Sequence, residues 1–139
     1  MARESGSKEN ARQPEVRREL EAAVAHHKAG RLDQAEAGYR SVLAKAPNHP
    51  ATLNLLGVIA IARQQPQLAV ELIGKAVEAL PGFADAHLNL GNALRLAGRS
   101  EEAVESYRRA LALKPGWALA HSNFARLLND LGRCDEAAT

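Results

Sequence analysis

The chain has 139 residues, of which 46% are hydrophobic and only 4% aromatic, and it has one cysteine, Cys134. Eighteen basic and 16 acidic side chains leave a net charge of +2, which is too small to attract a nucleic acid. A lone cysteine excludes an internal disulfide framework and indicates a reducing compartment, so we expect a cytoplasmic protein. The longest apolar run, residues 55–62, is far shorter than the roughly 20 residues that cross a bilayer, so we expect no membrane association.

Residues 1–13 mix both charges with serine, glycine and glutamine and have no apolar face. Such a segment buries too little surface to offset the entropy of ordering, so we predict a flexible polar tail. It has no apolar h-region and is therefore not a secretory signal. A basic docking arm is the alternative, but Glu4 and Glu9 interrupt its positive charges.

Residues 14–139 are predicted to fold as consecutive pairs of helices, because apolar residues recur at helical spacing on both sides of short turns. The pairs cover about residues 14–46, 50–80 and 84–114, and a further helix follows at 118–131. Pro66 is acceptable as the first residue of its helix. Ser100 and Asp33 are predicted to cap the second helices of their pairs.

The pairs repeat with a period of 34 residues, which is the spacing between Gly57 and Gly91. A small residue on one helix facing a bulky residue on its partner lets the two helices approach closely, which explains why both recur. The recurring prolines are Pro47, Pro81 and Pro115, the alanines are Ala35, Ala69, Ala103 and Ala137, and the bulky residues are Tyr39, Ile73 and Tyr107.

This pattern resembles the tetratricopeptide repeat (TPR) family, in which each repeat has a small eighth residue, alanine at the twentieth, an aromatic at the twenty-fourth and proline at the thirty-second. The resemblance implies an all-α fold, an α-solenoid of stacked antiparallel helical hairpins that forms a superhelix. About three full repeats are expected at residues 16–49, 50–83 and 84–117, followed by the first helix of a fourth within 118–139. The chain departs from the pattern at the eighth position, with Ala23, and at the usually aromatic fourth position, with Glu19, Leu53, His87 and His121.

No constellation of residues supports catalysis, a metal ion or a cofactor. The serines lie outside any nucleophile motif, and Cys134 has no histidine near it in the sequence. His87 and His121 are 34 residues apart and are therefore placed on adjacent stacked helices, but no third ligand accompanies them. We expect these histidines to pack against their neighbours rather than to bind a metal ion.

The resemblance places the functional surface in the concave groove that the first helices of successive hairpins form. Matching the family's groove positions to this chain divides the groove into two halves. The first and second repeats contribute an apolar half that includes Asn54, Val58 and Ile61, and the third and fourth contribute a polar half. The polar residues are Asn89, Asn92, Arg95, Asn123 and Arg126.

Asn89 and Asn123 occupy the same position in successive repeats, and a side-chain amide offers both a donor and an acceptor to an extended peptide backbone. This arrangement resembles the asparagine ladder of O-linked N-acetylglucosamine transferases. It implies a non-catalytic scaffold that binds a peptide or partner segment in the groove.

Three alternatives stay open. The chain is also consistent with the N-terminal repeat region of a larger O-linked glycosyltransferase, whose catalytic domain would follow Thr139. A carboxylate clamp matches less well, because the lysine expected near Leu88 is absent. A merely solvated polar face is the third.

The sequence ends where a further second helix would begin, so we expect a fragment of a longer protein. Leucines and one phenylalanine on the last helix would then lack the partner for which they are patterned. These residues are Phe124, Leu127, Leu128 and Leu131. We expect self-association through this end or through the apolar part of the groove.

Overall fold

The computed structural model describes residues 2–132, with side chains from residue 13 onward. Within this range the chain forms seven α-helices and no strand, which confirms the all-α repeat fold. The helices are α1 (Ala2–Lys28), α2 (Leu32–Lys45), α3 (Pro50–Ala62), α4 (Pro66–Ala79), α5 (Ala84–Leu96), α6 (Ser100–Leu113) and α7 (Ala118–Asp130).

The helices pack as hairpins, α1 with α2, α3 with α4 and α5 with α6, and α7 packs on α6. Between hairpins, α2 contacts α3 and α4 contacts α5. The first helices α3, α5 and α7 also contact one another in turn, so together they line one side of the stack. The resemblance predicts that this side forms the concave surface.

The turn inside each hairpin depends on one residue in the left-handed region of backbone conformation. Gly30, Gly98 and Gly132 take this position with φ of 81°, 79° and 73°. In the second hairpin Gln64 takes it instead, with φ of 59°. A side chain in this conformation crowds the following carbonyl, whereas glycine does not.

We predict that Gln64→Gly stabilises the protein by about 1 kcal/mol, because it removes the left-handed strain, partly offset by the greater freedom of glycine in the unfolded chain. Gln65→Gly is the matched control, since Gln65 has an ordinary φ of −119° and glycine there should destabilise the fold. Urea denaturation of both variants measures the difference. Equal effects of the two substitutions would contradict the prediction.

The two helices of a hairpin touch most closely at the eighth position of the repeat, as predicted. A Cβ atom on Gly57 would overlap Cγ1 of Ile73, and one on Gly91 would lie 2.6 Å from Cε1 of Tyr107. The first hairpin has alanine at this position, and it compensates with a glycine on the partner helix. A Cβ atom on Gly38 would lie only 2.7 Å from that of Ala23.

We expect Gly91→Ala to destabilise the fold by roughly 1–3 kcal/mol, because the added methyl group overlaps the buried ring of Tyr107. Gly74→Ala provides the comparison, since its Cβ would meet no atom within 4 Å and alanine favours a helix. Thermal denaturation followed by circular dichroism should therefore move in opposite directions for the two variants. A Gly91→Ala protein as stable as the wild type would show that the contact is not close.

The predicted caps of α2 and α6 are wrong. Ser100 is the first helical residue of α6, the N-cap is Arg99, and no side chain caps either helix. The turn geometry places the N-cap one residue before the serine. An ion pair occupies this end instead, with Arg99 donating to both carboxylate oxygens of Glu102 at 2.9 and 2.8 Å. A cap that the sequence analysis missed is His49, whose Nδ1 accepts from the backbone N–H of Thr52 at 3.3 Å.

Helix α1 continues across Pro14 to Ala2, so the boundary predicted at residue 14 is not a break in the helix. The mobility of residues 1–13 stays a prediction. The predictions about Cys134 and Ala137 lie outside the described residues.

The apolar residues of α7 do have a partner, contrary to the expectation for the end of the chain. Leu127 and Leu128 are buried, and Phe124 and Leu131 pack against the same cluster. The cluster includes Tyr107 of α6, because these side chains face back into the preceding hairpin. None of the helices in the described range has the length and apolar character that a bilayer crossing requires.

Candidate functional site

The predicted polar residues lie on one face of two neighbouring first helices. Asn89, Asn92 and Arg95 follow one another at intervals of three residues along α5, and Asn123 and Arg126 do so along α7. Residues three apart on an α-helix share a face, so each residue of a set lies beside the next one. Contact between α5 and α7 then brings the two sets side by side.

Hydrogen bonds between amides join α3 to α5 and α5 to α7. Asn89 Nδ2 donates to Asn54 Oδ1 at 3.0 Å, and Asn123 Nδ2 donates to Asn92 Oδ1 at 3.2 Å. Equivalent asparagines therefore bind to different positions of the preceding repeat. The reason is that the residue one repeat after Asn54 is Leu88, which has no side-chain acceptor. Asn123 reaches Asn92 instead.

The amides keep hydrogen-bonding capacity after these contacts are made. A side-chain amide has two N–H donors and a carbonyl oxygen with two lone pairs. Within residues 13–132, no side-chain hydrogen bond involves the Oδ1 of Asn89 or Asn123, or the Nδ2 of Asn92. Asn89, Asn92 and Asn123 are also half-buried rather than fully solvated. Asn54 differs, since it is only 5% exposed and serves to hold Asn89.

Tyr107 is a contributor to the site that the sequence analysis assigned only to the core. Its ring is completely buried, and its hydroxyl donates to Asn92 Oδ1 at 2.6 Å. Burial raises the pKa of the Tyr107 phenol, and the nearby guanidinium groups of Arg95 and Arg126 act in the opposite direction. A buried phenol needs a hydrogen-bond partner. The equivalent residue one repeat earlier is Ile73, which has no polar group, so the tyrosine at position 107 was the sequence signal for a hydrogen bond here.

Part of the predicted apolar half of the groove packs against the core. Val58 and Ile61 are half-buried, and Ile61 packs against the cluster between the second and third hairpins. On α1, Leu20 and Val24 line a cavity of about 440 Å³ together with Glu21, Ala25 and Lys28. Apolar surface is therefore available to a ligand mainly as the outer edges of these side chains.

The two histidines of the repeat pattern have a structural contact in common. His87 Nε2 lies 2.7 Å from the carbonyl oxygen of Pro81, and His121 Nε2 lies 2.7 Å from that of Pro115. Each joins the start of a first helix to the loop before it. In the part of the chain that the structure describes, no group of three metal-ligating side chains comes together.

A family model described as the tetratricopeptide repeat matches residues 20–82 and again residues 54–117. The chain belongs to the tetratricopeptide repeat family. The two matches begin one 34-residue repeat apart, as expected for stacked TPR units. No curated protein matches the chain.

Solved structures include several similar TPR proteins. MamA of MSR-1 is 31% identical, with a TM-score of 0.75 over 88% of this chain and 70% of that one. A mutant O-GlcNAc transferase of Thermobaculum terrenum is 33% identical, with a TM-score of 0.78 over 81% of this chain but only 22% of that one. The first TPR of Spaghetti (RPAP3), bound to the HSP90 peptide SRMEEVD, is 20% identical and shares the fold, with a TM-score of 0.80 over 84% of this chain and 95% of that one.

We predict that the stability of the protein falls above about pH 10 and that Tyr107→Phe reduces this fall. Because the folded state raises the pKa of Tyr107, the unfolded chain loses its phenol proton first, and stability that is present at lower pH is lost as pH rises. The contribution is at most about 1.4 kcal/mol per pH unit. Urea unfolding between pH 8 and 11.5 measures it. Parallel pH profiles of the two proteins would contradict the prediction.

Proposed function

We propose that this chain is a non-catalytic binding module that holds an extended segment of a protein partner in its concave groove. The central observation is the set of amides on α5 and α7, which are held by hydrogen bonds to neighbouring side chains yet retain donors and acceptors. Their geometry suits the main chain of a peptide, whose N–H and C=O groups alternate along its length. The TPR of Spaghetti, bound to its peptide, supports this reading at the level of the fold.

Fixing the amides before binding would favour affinity. Asn92 is held by two donors, from Tyr107 and Asn123, and Asn89 is held by Asn54. Side chains that are already ordered lose less entropy when a ligand binds. Val58 and Ile61 then provide apolar edges for a ligand side chain at the other end of the groove.

The test uses peptides selected from a random display library against the purified protein. We predict that the double variant Asn89→Ala and Asn123→Ala binds a selected peptide about 10- to 100-fold more weakly, since each main-chain hydrogen bond contributes about 1 kcal/mol. Isothermal titration calorimetry measures the change.

Asn48→Ala is the matched control, because Asn48 is exposed in the loop between α2 and α3, away from the groove. It should leave the affinity unchanged. Circular dichroism establishes that each variant is folded. Undiminished binding by the folded double variant would refute the role of the amides.

A second candidate is the repeat region of a larger enzyme, such as an O-linked glycosyltransferase. The Thermobaculum terrenum transferase supports it, with 33% identity over 81% of this chain. This chain covers 22% of that protein. The glycosyltransferase activity is accordingly proposed for a longer protein that would contain this chain. The gene sequence downstream of Thr139 tests it, since an α/β catalytic pattern would favour the enzyme and further repeats would favour the scaffold.

We also propose that the protein is cytoplasmic, as the single cysteine indicates, and that it binds neither a nucleic acid nor a membrane.

A second copy of the chain is an alternative occupant of the groove. Light scattering after size exclusion, across concentrations and with a reducing agent, distinguishes it. A stable dimer would mean that the apolar edges of the groove are covered by another copy.

A further inference from the structure

Two arginines stand side by side at one end of the amide cluster. Arg95 lies three residues after Asn92 on α5, and Arg126 lies three residues after Asn123 on α7. The 3.2 Å bond between these asparagines fixes the register of the two helices. Arg95 therefore lies nearly one helical turn beyond Asn92 on the same face of α5, and Arg126 lies nearly one turn beyond Asn123 on the same face of α7. Axes of packed helices are typically about 8–10 Å apart, so two long side chains can reach a common ligand.

Neither arginine has a carboxylate partner in the part of the chain that the structure describes. Among residues 13–132, acidic side chains pair with Arg40, Arg63, Arg99 and Arg109 within 3.3 Å. No such ion pair forms at Arg95 or Arg126 in the same range. The Nε–H donor of Arg95 is buried and has no hydrogen-bond partner. A buried donor without a partner is costly unless a ligand accepts from it, whereas the exposed guanidinium of Arg126 is accessible to the same ligand.

Burial raises the pKa of the Tyr107 phenol, and both guanidinium groups act to lower it. Each lies near enough to the Tyr107 hydroxyl to influence its ionisation, although the two arginines belong to different helices. The hydroxyl itself donates to Asn92. The two charges, the phenol and the amides of Asn92 and Asn123 thus converge on one region between α5 and α7.

We propose that Arg95 and Arg126 form a subsite for a phosphate monoester carried by the bound segment, with the N–H groups of Asn92 as additional donors. This inference rests on the proposed function for its ligand, a peptide in the groove. A phosphate monoester carries a charge close to −2 at neutral pH and presents three acceptor oxygens. It therefore matches two guanidinium groups in charge and donor number, whereas one carboxylate would leave a positive charge uncompensated.

The experiment titrates the intact chain with inorganic phosphate and, separately, with acetate at constant ionic strength. Nuclear magnetic resonance follows the side-chain signals of the arginines and of Asn92. We expect phosphate to shift these signals saturably and at concentrations at least tenfold lower than acetate. Arg95→Gln and Arg126→Gln should each weaken phosphate binding at least tenfold. Arg109→Gln should not, because Arg109 is exposed on α6 and is paired with Glu105.

Three outcomes would overturn the proposal. Equal binding of acetate and phosphate would indicate a site for acidic side chains. An absence of saturation would mean that no subsite exists. An effect of Arg109→Gln equal to that of the other two substitutions would indicate general charge attraction. Unchanged melting temperatures establish that the variants fold. The titration contains no peptide, so its failure is separate from a failure of peptide binding. Peptides that bind equally well with and without phosphate would leave the scaffold intact and refute only the subsite.

Discussion

The geometry of the groove depends on the contact between Gly91 and Tyr107. The glycine lets α6 approach α5 so closely that a methyl group would overlap the tyrosine ring. The buried ring in turn carries its hydroxyl to Asn92 Oδ1, which also accepts from Asn123 on the next first helix. A packing contact inside one hairpin therefore fixes a polar group on the surface that the hairpins share. Stability and the candidate site depend on the same few atoms.

The repeat pattern predicted the hairpins well, because the period of small and bulky residues directly encodes how two helices meet. The assignment of the polar residues to a concave binding face stays a prediction. The pattern did not predict that Asn54 is buried beneath Asn89, or that Asn123 bonds to Asn92. Those contacts depend on which side chain happens to offer an acceptor on the neighbouring helix, and Leu88 offers none. Position within a repeat specifies a face, whereas the partners on that face depend on the adjacent repeat.

The start of α6 and the packing of α7 also differ from what the local sequence predicted. Ser100 has the residue type of a cap, but the turn at Gly98 places Arg99 at that position. Leu127 and Leu128 were expected to lack a partner, but they complete the core of the third hairpin. In each case the tertiary arrangement of the turn or hairpin outweighed the preference of a single residue.

The central claim is that the groove recognises the main chain of its ligand, and scanning a selected peptide by N-methylation tests it most directly. Methylation removes one backbone N–H donor at a time and leaves every side chain in place. We predict that methylation at residues facing α5 and α7 weakens binding about tenfold, whereas changing the side chains there has little effect. Binding that tolerates methylation but is lost when side chains change would contradict it.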